Sequence, residues 1–514
     1  MSFKFSTPKK RRRASISQQL EAMGMSPVNI STRDAIVGEG SEDDTDNPVE
    51  EEIGNRGKPT YLSSIKNVLS IFLIVFEHLI SSIILVLPKS IITSCTIVCK
   101  YIFSFFKSNN EIYNEYLKDN EEGEIFSKIE KLKNAKSFEQ ICGLHGFQSE
   151  THLVRTEDGF QLSVHRINPE ANGFQSNGKS VFFQHGLLMT SDVWCVMLET
   201  NDNLPFRLCQ LGFDVFLGNN RGNKYSGKHE RYSTWQKEFW NFSIDEFAIH
   251  DIPSSINYIL KFNNIEKITY IGFSQGCSQI LSSVSINEDL NDKIDKLILI
   301  APATTPKKLS NWLINSIVNF EPSLIYTLFG RKILMKSVMF WRGITYPPMF
   351  IKLIDIPNKL LFDWDSINID IVQKLVSYYH LYSTTSVKCV VHWFQIIKSK
   401  KFQMYQEERF FNPFEYPTKN IKIGKICLIY GMSDSLVDID IIVDQLPTFE
   451  YIKFNQISNG ILIKNSQLEG QEIIKENYKV NGLSNNQQLT IFGVENYEHL
   501  DLLWGKSQEQ NVKI

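Results

Sequence analysis

Four stretches of this chain carry residue types and spacing suited to nucleophilic chemistry. The first is Gly272-Phe273-Ser274-Gln275-Gly276, a serine with a glycine two places to either side. It follows the β-rich run Lys267-Ile268-Thr269-Tyr270-Ile271 and leads into Cys277-Ser278-Gln279-Ile280-Leu281, which can begin a helix. A strand–turn–helix of this kind predicts a nucleophile elbow, with the hydroxyl standing clear of the backbone and helix N–H groups behind it. By itself the pentapeptide is common, so its partners decide its weight.

A serine nucleophile needs a base, a group that orients the base, and donors for the oxyanion. In the elbow-bearing folds these follow in the order serine, acid, histidine, on late strand ends. The strand 426–430 runs into Gly431-Met432-Ser433-Asp434, and Asp434 is the first carboxylate beyond it. Asp438 and Asp440 read as capping and solvating the next helix. The strand 488–492 runs into Glu495-Asn496-Tyr497-Glu498-His499-Leu500-Asp501, and His499 is the last of 10 histidines and the only one after Asp434. His165, His229 and His250 read as surface or packing residues. The oxyanion donors would be the backbone N–H of Gln275 and that of Leu187, in Gln184-His185-Gly186-Leu187-Leu188. His185 reads as a brace of that loop rather than as the base.

These stretches need a scaffold, and from about residue 137 the pattern supplies one. Short β-rich runs alternate with longer helical ones, as a parallel α/β sheet requires. Residues 151–154 and 160–165, joined at Glu157-Asp158-Gly159, predict an opening hairpin. Strands then follow at 181–183, 213–217, the elbow strand, 297–300 and 426–430, with glycine and polar residues at their C-terminal ends. That edge is where a doubly wound sheet places its site.

Composition fits a large globular chain: 514 residues, 42% hydrophobic, 22% charged. A net charge of -3 gives no reason to expect a nucleic-acid partner. The 8 cysteines include no C-x-x-C pair and no zinc spacing, so no metal and no cofactor is implied. Cys95 and Cys99 share one helical face in an apolar run, where packing is a better reading than acylation.

The N-terminal part is of another kind. Residues 1–59 carry the basic cluster Lys9-Lys10-Arg11-Arg12-Arg13 and an acidic block from Glu42 to Glu52, with too little apolar content to order, and are expected to be a disordered tail. Residues 60–107 are expected to be a membrane anchor, as one span or a hairpin. The best span is 68–87, broken only by Glu77-His78, and a second apolar run extends from Ile91 to Phe106. Positive charge before the anchor outweighs that after it, which puts the N-terminus in the cytosol. The lipid droplet, the endoplasmic reticulum and the plasma membrane all remain open as the holding membrane.

Several further stretches carry a family resemblance: Thr156-Glu157-Asp158-Gly159-Phe160, Leu217-Gly218-Asn219-Asn220-Arg221-Gly222-Asn223, Glu238-Phe239-Trp240-Asn241-Phe242-Ser243 and His392-Trp393-Phe394-Gln395. With Gln184–Leu188, Gly272–Gly276 and Tyr497–Asp501 above, all taken in chain order, the chain resembles the acid lipase family of α/β-hydrolases, and within it the fungal membrane-anchored steryl ester hydrolases. The resemblance covers most of residues 137–514 and implies an α/β-hydrolase fold with a helical cap. It also implies Ser274 as nucleophile, Asp434 as acid, His499 as base, and Leu187 and Gln275 as oxyanion donors. The implied substrate is an apolar ester, a steryl ester or a triacylglycerol, met at a membrane or lipid droplet surface. A non-catalytic, lipid-binding protein of the same fold is the reading from another class.

Two departures accompany this resemblance. The 65 residues from Asp434 to His499 exceed what the animal lipases use (499 − 434), and the polar stretch from about 455 to 486 reads as a surface insertion. An anchor also stands where secreted relatives carry a cleaved signal peptide. The segment 303–405, helical and rich in large apolar side chains, is expected to be the cap. Most of its aromatics would fill its own core and a few would line an acyl or sterol pocket.

Overall fold

The computed structural model describes residues 89–104, 122–306, 312–334, 347–407, 413–447, 451–458, 461–463 and 488–505, with a few single positions besides. The tail over 1–59 and the span over 68–87 lie outside the described residues. The second apolar run does appear, as helix α1 (Lys89–Ser104), followed by α2 (Glu122–Lys133).

The predicted hairpin is present as β1 (Glu150–Arg155) and β2 (Phe160–Ile167), paired antiparallel. Next come β3 (Ser180–Gln184), β4 (Asp214–Leu217) and the short β5 (Lys228–His229), which pairs with β2. Helix α3 (Ile252–Asn263) leads to the elbow strand β6 (Ile268–Phe273), helix α4 (Gln275–Ile286) and β7 (Ile294–Ile300). Every residue of β3 and β4 is buried, as strands covered on both faces must be. The chain leaves β3 for β4 on one side and returns to β6 on the other. Such a reversal opens a crevice at the strands' C-terminal ends, and both Leu187 and Ser274 follow strands that border it.

Between β7 and the next sheet strand lie the helices expected as a cap: α5 (Trp312–Val318), α6 (Pro322–Phe329), α7 (Pro347–Phe362), α8 (Ile371–Leu381) and α9 (Val387–Ser399). A two-stranded ribbon joins them, β8 (Ile333–Leu334) with β9 (Thr385–Ser386). The segment has a small core of its own, with Ile325, Val387 and Val391 buried against Tyr326, Phe329, Leu334, Phe394 and Tyr405.

The sheet resumes with β10 (Lys425–Gly431), and helix α10 (Ile439–Gln445) follows, capped by the Asp438 side chain as expected for that residue. β11 (Tyr451–Ser458), β12 (Ile461–Ile463) and β13 (Gln488–Val494) complete an eleven-stranded sheet of order β1-β2-β4-β3-β6-β7-β10-β13-β11-β12, with β5 off this path. Here the expectation of a surface insertion beginning at 455 needs correcting. Residues 455–458 belong to β11, which pairs in parallel with β13, and Asn455 and Ile457 are buried. Asn455 donates from its amide to the Ile491 carbonyl at 3.5 Å, so a polar residue in this strand is an inward one. Residues 464–487 lie outside the described residues.

Candidate active site

Ser274 stands between β6 and α4 with φ +52° and ψ −115°, a left-handed backbone that a side chain rarely adopts. Its N–H donates to the Ile300 carbonyl on β7 at 2.9 Å, and its carbonyl accepts from Cys277 at 3.0 Å, so both sides of the turn are fastened. Gly276 lets the turn lie against the neighbouring strand end: a Cβ there would meet the Gln184 carbonyl oxygen at 2.4 Å. Strain held by surrounding contacts is the mark of a nucleophile elbow.

Asp434 and His499, 65 residues apart, are brought together by adjacent parallel strands, β10 and β13. His499 Nδ1 lies 2.6 Å from Asp434 Oδ2, and both side chains are buried. A carboxylate only accepts, so Nδ1 carries the hydrogen and Nε2 is left as the basic nitrogen. The two loops touch along their backbones: Ser433 N–H donates to the Tyr497 carbonyl at 3.0 Å. A Cβ on Gly431 would sit 2.2 Å from that same carbonyl, so glycine is required there. The His499 ring packs at 5.0 Å from the ring of Phe273, the residue before Ser274. No hydrogen bond to Ser274 Oγ or His499 Nε2 is formed among the described residues. That link commonly tightens only when substrate binds.

The two oxyanion candidates flank the same point. Gln275 opens α4, where first-turn N–H groups lack helical partners. Leu187 donates to no backbone carbonyl among the described residues. A Cβ added to Gly186, the residue before Leu187, would stand 3.2 Å from Ser274 Cβ, which places this loop directly against Ser274.

Around these groups lies a buried polar frame. His185 donates from Nδ1 to the Gly186 carbonyl at 2.8 Å and accepts at Nε2 from the Asn220 N–H at 3.1 Å. Burial lowers its pKa to about 4, so the ring is neutral and both nitrogens are engaged: it braces and does not act as base. Arg221 joins Asp251, at 2.5 Å, and Asp158, at 2.7 Å, and stacks over Phe160 at 4.1 Å. Burial opposes ionisation of Asp158, yet the guanidinium holds its carboxyl well below the usual range. His165 stacks flat on Phe138 at 4.5 Å and His229 bonds the Asp158 carbonyl at 3.0 Å, both in packing roles.

Three residues not assigned a role from the sequence also belong here. Trp393 donates from Nε1 to Gln275 Oε1 at 2.7 Å, so a helix of the expected cap grips one of the two oxyanion candidates. Trp364 lies face to face with His499, centroids 4.9 Å apart and planes 5° apart. Glu498 accepts the backbone N–H groups of Asp365 and Ser366. Trp393 and Glu498 lay inside stretches already singled out and Trp364 among the cap aromatics, but no local spacing reports which side chains meet.

The assembled groups are those of acyl transfer to a serine, and relatives support that chemistry. A model described as "alpha/beta hydrolase fold" matches residues 179–452, and one described as "Partial alpha/beta-hydrolase lipase region" matches 138–198. A Schizosaccharomyces pombe protein named a probable lipase is 38% identical over 78% of this chain and 83% of its own. The chain belongs to the acid lipase family of α/β-hydrolases. This acid lipase is also similar to the human lysosomal acid lipase/cholesteryl ester hydrolase, 31% identical over 71% of this chain and 86% of that one. The rat gastric triacylglycerol lipase is 32% identical over 62% of this chain and 83% of its own. As an acid lipase it is a carboxylic ester hydrolase.

Proposed function

We propose that this lipase hydrolyses steryl esters to free sterol and fatty acid through an acyl-enzyme on Ser274, working at a lipid surface to which its N-terminal region holds it. The observation that carries the chemistry is the buried His499–Asp434 pair, 2.6 Å apart, beside a serine held at φ +52°. His499 Nε2 takes the proton of Ser274 Oγ as the oxygen attacks the ester carbonyl. The N–H groups of Leu187 and Gln275 hold the resulting oxyanion. Collapse breaks the bond to the alcohol oxygen, which leaves with the proton from His499. Water, deprotonated by the same nitrogen, then releases the acid and restores the serine. Asp434 keeps the imidazole in the tautomer this requires.

The sterol reading rests on the fungal resemblance and on an aromatic-rich cap. A triacylglycerol substrate is the alternative, since relatives named for either ester are about equally similar to this chain, at 31% and 32% identity. Turnover of cholesteryl oleate against trioleoylglycerol by the purified enzyme separates the two. Ser274→Ala should remove essentially all hydrolysis of both while the protein stays folded, and retained turnover in that variant would sink the mechanism.

Attachment to a membrane is supported by the apolar run 68–87 and by α1, where Ile91, Ile97, Val98, Tyr101 and Ile102 are all exposed. Among the described residues no helix is long and apolar enough to cross a membrane. At about 1.5 Å per residue the 16 residues of α1 span about 24 Å, which suits the returning arm of a hairpin. A protein lacking residues 1–107 should leave the membrane fraction on alkaline carbonate extraction, and protease protection of the C-terminus distinguishes one span from a hairpin.

A further inference from the structure

His499 is held by more than Asp434. A single hydrogen bond at Nδ1 fixes the tautomer and one point of the ring, but leaves the plane free to twist about that bond. Two other rings remove this freedom. Phe273 leans against one side at 5.0 Å and 58°, and Trp364 covers a face at 4.9 Å and 5°. Trp364 is itself stacked on Phe362 at 4.4 Å and is buried, yet its indole N–H has no partner among the described residues. A buried indole N–H usually finds an acceptor, so this ring is placed by something other than its own hydrogen bond.

That something is the chain on either side of it. Asp363 and Ser366 have φ of +60° and +50°, which folds the segment between α7 and α8 into a tight turn: the Asp363 and Trp364 N–H groups bond back to α7, and those of Asp365 and Ser366 turn towards Glu498. Glu498, the residue before His499, takes these groups with both oxygens: Asp365 N–H at Oε1, 3.0 Å, and Ser366 N–H at Oε2, 2.7 Å. Asn368 adds bonds to the Asn496 carbonyl at 2.6 Å and to Asp501 Oδ2 at 2.9 Å. From the acid's side, Ser435 Oγ donates to the Phe362 carbonyl. The cap segment 362–368 is therefore tied to both loops that deliver the catalytic pair.

We propose that Trp364 is a positioning residue for His499, holding the plane of the imidazole, and that Glu498 fixes Trp364 by gripping the two amides that follow it. The inference rests on the serine hydrolase reading above. Its physical content is alignment: a base whose ring can twist spends less time with Nε2 facing the serine hydroxyl, and small displacements of that kind lower kcat without touching substrate binding. The aromatic face also favours the imidazolium that forms as the proton is taken.

The test uses the full-length enzyme and p-nitrophenyl butyrate, an ester too small to need a sterol pocket. Wild type and Ser274→Ala are assayed alongside, so that a failure of the hydrolase reading shows itself separately. Trp364→Ala is expected to lower kcat at least tenfold with KM within threefold, and to slow fluorophosphonate labelling of Ser274 in parallel. Trp364→Phe, which keeps a flat face and removes the unpaired N–H, should return kcat to within threefold of wild type. Glu498→Ala should lower kcat with the same split, and Trp364→Ala/Glu498→Ala should be little worse than the stronger single variant, because both remove one restraint. Should Trp364→Ala not fold, Trp364→Leu against Trp364→Phe makes the same comparison at similar volume. A kcat within twofold of wild type in Trp364→Ala, a phenylalanine no better than alanine or leucine, or a loss confined to KM would each overturn the proposal.

Discussion

At the scale of single residues, the site is an arrangement of close approaches that few side chains fit. Gly276→Ala would place a methyl 2.4 Å from the Gln184 carbonyl oxygen and 3.0 Å from that of His185, and both are backbone atoms that no side-chain rotation can move aside. The elbow would have to open, which moves Ser274 and the Gln275 N–H together. The expected outcome is a stability loss of about 2 kcal/mol or more together with near-complete loss of esterase activity, read by thermal unfolding and by p-nitrophenyl ester turnover. Asp434→Asn is gentler on the fold and harsher on the tautomer. An amide NH2 facing Nδ1 favours the hydrogen on Nε2, the nitrogen that must accept, and kcat should drop by about a thousandfold or more with little change in KM; the measure for that size of effect comes from the serine proteases.

The relevant unit at the next scale is α9. Its residue Trp393 bonds the Gln275 side chain at 2.7 Å, and Cys389 lies 3.5 Å from the same oxygen. The cap is thus connected to the oxyanion loop as well as to the histidine. Trp393→Phe keeps the bulk and removes the donor, leaving a buried amide oxygen with a weaker partner. A cost of about 1–2 kcal/mol is expected, and where it falls on transition-state binding it appears as a five- to thirtyfold drop in kcat/KM, measured on a short and a long acyl ester. An equal drop on both places the effect at the oxyanion rather than in an acyl pocket.

For the whole molecule the governing electrostatic fact is that several histidines are buried neutral. Burial lowers the pKa of His145, His165 and His185 to about 4 each, against about 6.5 in an unfolded chain. Between these values the unfolded state binds the extra protons, so stability is present above pH 6.5 and is lost as pH falls towards 4. Each ring contributes up to about 3 kcal/mol to that loss. Asp245, Asp251, Glu498 and Asp501 act in the opposite sense, since burial raises their pKa and protonation in the folded state is favoured. His392 is shifted in the same direction as those three rings, and the expected outcome is an unfolding temperature that declines from pH 7 to pH 4.5. A melting temperature that is flat or rises over that interval would contradict this accounting.

How much of this was legible beforehand follows from the range of each signal. Glycine spacing, the period of two in strands, and the order serine, acid, histidine are local or sequential, and they name the elbow, the central strands, Asp434 and His499. The same locality misled at Asn455, because a polar residue reads as surface until a neighbouring strand is known to accept its amide. Nothing local tells which cap aromatic meets the base. Trp364 reaches His499 only because the cap returns over the ends of β10 and β13, and Glu498 finds its two N–H groups only once that turn has formed. The sequence by itself determined the chemistry this chain can perform, since bonding capacity and backbone freedom belong to residues. The tertiary structure alone decided how the base is held, since stacking and capture of backbone amides depend on segments that meet only in the folded chain.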